Sequence, residues 1–159
     1  MAYYYQGTIR NMTYRLRKFR AYVDEYLEDY FTFSGTQELV TGMVANSQLF
    51  RRGIEGFGIK IMEYAPYAPR TIANKKRKGQ PYTRVTLKDT GAFYEGFKVV
   101  ANSEGFYITS DDSKTEKLVA KYGPSIFRLT AENFSRLIRK HLRQDLASYI
   151  RIKYGLKIK

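Results

Sequence analysis

The chain has no cysteine and no tryptophan, a single histidine, four prolines, and fifteen acidic residues against twenty-eight basic ones. Without cysteine there is no disulfide, no thiolate zinc site and no thiol nucleophile, a composition that fits a reducing cytosol or an assembly made there. His141 sits alone between Lys140 and Leu142. A metal site would need a second histidine, a cysteine or a nearby acid, and general-base chemistry a serine placed beside it; no cofactor or metal site is indicated. No apolar run approaches membrane-spanning length, and Ala2-Tyr3-Tyr4-Tyr5 is no signal peptide, so a soluble chain with no membrane partner is expected. The shortage of acid leaves a net charge of +13 at pH 7, which favours polyanions through counterion release or acidic protein surfaces through steering.

What is present is enough to fold. At 159 residues, 43% hydrophobic and 16% aromatic, the chain reads as one domain, residues 1–159, with one core. All the aromatics are tyrosine and phenylalanine, and many tyrosines lie beside charged residues, a placement that suits partly wet interfaces.

The clearest element is a helix over about residues 8–30, where Ile9, Met12, Leu16, Phe19, Val23, Tyr26 and Tyr30 form one stripe. Its charges are segregated: Arg10, Arg15, Arg17, Lys18 and Arg20 precede Asp24, Glu25, Glu28 and Asp29. That order opposes the helix dipole at both ends. Either the charges pair with a neighbouring copy, basic half beside acidic half, or they are a solvated face. Residues 36–50 read as helix after Thr36, with an alternating strand as the alternative. Gly53-Ile54-Glu55-Gly56-Phe57-Gly58 lacks the Lys-Ser/Thr pair and the spacing of a phosphate loop and reads as a flexible turn.

After the extended Tyr64-Ala65-Pro66-Tyr67-Ala68-Pro69, a basic loop is expected over about residues 70–84. Its Lys75, Lys76, Arg77 and Lys78 are either a polyanion-contacting or acidic-surface-contacting arm or a solvated loop. Next comes Arg84-Val85-Thr86-Leu87-Lys88-Asp89-Thr90-Gly91-Ala92. Asp-Thr-Gly is the turn that presents one acid of an aspartic protease, but that chemistry needs two such turns sharing a proton. This chain has one, with Lys88 where an apolar strand residue is expected. The better reading is a strand end in which Asp89 or Thr90 caps a short helix and Gly91 permits the bend.

A hairpin follows over about residues 97–110. Ser113-Lys114-Thr115-Glu116 reads as a capping box, Asp111-Asp112 as capping residues, Ile126-Phe127-Arg128-Leu129 as one more strand, and Thr130 as the cap of a final helix over about residues 130–154. That helix buries Phe134, Leu137, Ile138, Leu142, Leu146, Tyr149 and Ile150, and exposes Arg136, Arg139, Lys140, Arg143, Arg151 and Lys153. The expected fold is α+β, with long amino-terminal and carboxy-terminal helices packed on a small antiparallel sheet.

This order of elements, with Thr71, Lys75, Lys76, Gly79, Leu87, Thr90, Gly91, Phe93, Lys121, Tyr122 and Gly123, resembles the virion morphogenesis or tail-completion proteins of tailed phages. These are similar in turn to the head-tail joining, tail-terminator group. The likeness covers about the last two-thirds of the chain, and Ile126-Phe127-Arg128-Leu129 replaces an Arg-Pro-Phe-like segment. The resemblance implies a non-enzymatic subunit of a neck or tail-end ring, a hexamer. Its partners would be copies of itself, neighbouring neck or tail proteins, and DNA in transit. It would reside in the virion, and in the host cytoplasm during assembly. The competing expectation is a nucleic-acid-binding module using residues 75–78 and the final helix.

Overall fold

The computed structural model describes residues 9–102 and 105–154, with the backbone alone at residues 9–12, 15 and 154. The expected features at residues 2–5, 103–104 and 155–159, and the side chains of Ile9, Arg10, Met12 and Arg15, lie outside the described residues. The fold is α+β, mainly helical, with one two-stranded antiparallel sheet among the described residues.

Helix α1 spans Ile9–Thr32, as its periodicity predicts. It stops where Phe33 turns extended (ψ 130°) while its N–H still donates to the Asp29 carbonyl. Helix α2, Ser34–Gly42, runs on into a π-wound segment, Met43–Arg52, so residues 36–50 are helical and the strand alternative is set aside. Gly53 ends it in the left-handed region at φ 65°, which costs glycine nothing.

The glycine-rich turn that follows is fixed rather than flexible. The buried Glu55 accepts from the N–H groups of Phe57 and Ile59 through Oε1, both at 3.0 Å. Gly56 donates to the Ser125 carbonyl, and a Cβ there would stand 2.3 Å from Cβ of Arg128.

Short helix α3 (Ile61–Tyr64) leads to α4 (Pro69–Arg77). The loop expected over 70–84 is therefore half helix: proline at the first position has a pre-set φ, and the basic run that reads as loop by charge has adequate helix propensity. No strand forms at Arg84-Val85-Thr86-Leu87. The buried Thr86 backbone is instead bonded from both sides by tyrosines, its N–H to the Tyr67 hydroxyl at 2.9 Å and its carbonyl to that of Tyr94. Leu87, the one non-glycine residue with positive φ (54°) among those described, then turns the chain.

Helix α5 (Ala92–Glu95) enters the predicted hairpin, β1 (Phe97–Asn102) and β2 (Gly105–Ser110), in which the buried pair Val99 and Ile108 face each other. Helix α6 (Thr115–Tyr122) starts without the capping box. Asp112 takes that role, its Oδ1 accepting from the Lys114 N–H at 2.6 Å. The strand expected at 126–129 is a 3-10 turn, Pro124–Phe127, because its carbonyls are taken elsewhere, Ser125 by Gly56 and Arg128 by Gln48. Thr130 caps the final helix as expected, accepting from the Asn133 N–H. That helix comprises α7 (Ala131–Arg136), a π-wound segment (Leu137–Leu142) and α8 (Arg143–Tyr154).

Val40, Val44, Leu49, Ile61, Val85, Ile126 and Leu137 are fully enclosed and form the core of the body. Phe31 ties α1 to it by stacking on Phe106 of β2, centroids 4.2 Å apart. At the centre is a buried polar knot. The Gln48 Nε2 donates to the Arg128 carbonyl at 2.9 Å, and its Oε1 accepts from Thr130 N–H at 2.9 Å and Asn133 Nδ2 at 2.8 Å. Asn133 therefore takes the buried position on the last helix, and Phe134, expected in the stripe, is 48% exposed.

Replacing Gln48 by leucine would leave two donors and one acceptor buried without partners, and the expected loss is about 3 kcal/mol or more of unfolding free energy in a urea titration. Thr130→Ala should cost about 1 kcal/mol. Equal, sub-kilocalorie effects at both positions would contradict this role for Gln48.

Candidate functional site

The basic run and the Asp-Thr-Gly turn are neighbours in space as well as in sequence. Lys75 is buried. Its ammonium donates to the Lys88 carbonyl at 2.7 Å and to Gln80 Oε1 at 3.2 Å, and lies 5.2 Å from the Tyr67 ring centroid. Gln80 donates in turn to the Asp89 carbonyl, and Lys78 Nζ meets Asp89 Oδ1 at 2.6 Å. That hydrogen bond, helped by the charges of Lys114 and Lys75, holds the Asp89 carboxyl below its usual range.

Asp89 therefore caps nothing. The Thr90 Oγ1 accepts from Ala92 N–H, and Gly91 turns at φ 116°. Of the four cations expected to meet a polyanion, Lys75 is corrected to a structural residue and Lys78 to the partner of Asp89. Lys76, 4.8 Å over the Tyr82 ring, and Arg77 are exposed. Charge alone could not distinguish these, because a buried lysine is recognised by its acceptors. Lys75→Ala should lower stability by about 2 kcal/mol, and the pair Lys76→Ala, Arg77→Ala should leave the melting temperature almost unmoved. Similar melting temperatures in both variants would contradict the assignment.

On the last helix, Arg139, Lys140 and Arg143 are exposed as expected. Arg136 turns inward and donates to Asn133 Oδ1 at 2.8 Å. His141 and Asp145 line an open cavity with Asp29 and Phe33; no group of three metal-ligating side chains exists among the described residues.

The two long helices meet along a seam of tyrosines, of which Tyr26, Tyr30 and Tyr149 lie in the expected stripes and Tyr22 does not. Tyr26 packs on Tyr149 with centroids 4.5 Å apart, and Lys153 lies 4.7 Å over the Tyr22 ring while donating to the Tyr149 hydroxyl. Asp145 stands near Tyr26 and Tyr30. Tyr22, Tyr26 and Tyr30 thus face Lys153, Tyr149 and Asp145, four-residue steps in opposite directions, which makes α1 and α8 antiparallel. Charge order plays a part within the chain too: Glu25 acts on Lys153, and Arg20 reaches Asp24 at 3.8 Å.

Beyond the seam α1 is uncovered. Tyr14 and Leu16 are each 64% exposed, so Leu16, a member of the expected buried stripe, is not buried by this chain. Arg17, Lys18 and Arg20 are exposed in that half, and Asp24, Glu25, Glu28 and Asp29 in the other.

Burial and the nearby Asp145 charge push the Tyr26 hydroxyl up to about 12. A raised tyrosine stabilises the fold fully below its unfolded value, near 10, and that contribution is lost as pH rises through about 12. Absorbance titration at 295 nm should show a late-ionising tyrosine fraction, with helical circular dichroism falling over the same interval, and Tyr26→Phe should make both smaller while Tyr30, Tyr64 and Tyr94, also raised, keep the remainder. An identical alkaline transition in Tyr26→Phe would contradict it.

No family model matches the chain, and no curated protein or solved structure is similar to it. Among the described residues, no helix is long and apolar enough to cross a membrane.

Proposed function

We propose that the chain is a non-enzymatic structural subunit of a phage neck or tail-end ring, and that α1 is the arm by which subunits join. The observation that carries this reading is the uncovered amino half of α1. It presents Leu16 and, on the opposite face, Tyr14 to solvent just ahead of Arg17, Lys18 and Arg20, while the acids of the same helix lie exposed at its other end. An exposed apolar side chain beside segregated charge is what a partner of the opposite charge order would cover. The two complementary surfaces lie at different places on one chain, which allows a head-to-tail contact that closes into a ring when the rotation permits. The sequence resemblance to tail-completion proteins points the same way. The competing nucleic-acid module loses Lys75, whose ammonium group is buried and engaged within the chain.

The test uses exposed charges that leave the seam intact. A variant with Glu28→Lys and Asp29→Lys, and a second with Arg17→Glu and Lys18→Glu, should each sediment as smaller species than the wild type, with unchanged circular dichroism. Mixed, they should recover the large species, because each arm then meets an oppositely charged acceptor. Single exposed pairs contribute about 0–1 kcal/mol, so recovery on mixing requires the contact to be repeated around the assembly. Absence of recovery, or a wild type monomeric at every concentration with tight duplex DNA binding, would favour the nucleic-acid module.

A further inference from the structure

Resting on the ring reading, we infer that the acceptor for the arm is the elbow between α1, α2 and the last helix, where the Leu16 face of a second copy's α1 seats. The elbow is an open cavity of about 440 Å³ whose walls include Tyr26, Asp29, Tyr30, Phe33, His141 and Asp145. It forms because α1 ends at Thr32 and α2 begins at Ser34, leaving extended Phe33 at the bend. The Phe33 ring is 66% exposed and lies over Gly35, where an added Cβ would stand 2.8 Å from its Cε1, so the absence of a side chain at Gly35 lets the ring rest there.

Two features identify the occupant. The acids at the cavity, Asp29 and Asp145, are exposed and have no ion pair among the described residues, on a chain whose net charge is +13. The complementary ligand is a basic segment with an apolar centre. Residues 10–20 hold five cations and no acid, and bring with them Tyr14 and Leu16, each 64% exposed. Both surfaces are incomplete alone in the same two respects, charge and apolar cover. Leu16 and Phe33 cannot meet within one copy, because sixteen helical residues from Leu16 to the end of α1 separate them by about 24 Å. The contact is therefore between copies, with one arm passing onto the next elbow.

The absence of cysteine makes the contact directly readable. In the chain carrying both Leu16→Cys and Phe33→Cys, two positions exposed enough to leave folding intact, any disulfide must be intermolecular, since a bridge needs Cα atoms within about 7 Å. Mild oxidation should give a covalent ladder on non-reducing gels. Its yield should be about tenfold that of a control carrying Leu16→Cys with Tyr107→Cys, whose second position is 55% exposed but lies on the hairpin. Adding Asp145→Lys to the double variant should reduce the ladder toward the control. An assembled wild type with no ladder, or with equal ladders in test and control, overturns the elbow as acceptor and leaves the ring reading standing. A wild type that never assembles overturns both.

Discussion

Gln48 is the constraint on which the rest of the structure depends. One buried amide takes the carbonyl of Arg128, the N–H of Thr130 and the side chain of Asn133, and so joins the π-wound continuation of α2 to the turn that launches the last helix. The Arg128 carbonyl and the Thr130 N–H would otherwise be buried without a partner, at about 1–3 kcal/mol apiece, and Asn133 Nδ2 would keep only its bond to the Met43 carbonyl. Thr130 is held at both its backbone and its side chain, one by Gln48 and the other by the Asn133 N–H, and these bonds set the starting direction of the last helix.

That direction produces the seam. Starting from Thr130, the last helix returns along α1 and sets Tyr149 on Tyr26 and Lys153 on Tyr22. The body that the core encloses ends there, and α1 continues past it. The exposed arm therefore follows from the placement of the polar knot, and the segregated charges acquire a use that the isolated helix denies them, since their order opposes its dipole.

Regular elements announced themselves in the sequence because their signals are local. The stripe of α1, the hairpin and the Thr130 cap each depend on residues within a few positions of one another. The misread segments have in common a backbone satisfied by a distant side chain. Thr86 is bonded by Tyr67 and Tyr94 in place of a neighbouring strand, and Arg128 by Gln48, so two apolar runs that look like strands never pair. Buried Lys75 and Asn133 follow the same pattern: a polar residue with complete hydrogen bonds enters the interior, and hydropathy places it outside. The charge order of α1 was legible from the start. The tyrosines at 26, 30 and 149 were visible too, but the two helices that carry them are over a hundred residues apart, and the elbow exists only once that seam has closed.

Head-to-tail contact between arm and elbow makes a closed oligomer the central physical claim. Single-molecule mass measurement across a dilution series tests it most directly. A ring of charge-paired arms predicts one dominant species at an integer multiple of the chain mass, giving way to monomer on dilution or added salt with few intermediates, because opening a closed ring breaks its cooperativity and salt screens exposed pairs. A monomer peak alone at every concentration and ionic strength would contradict it.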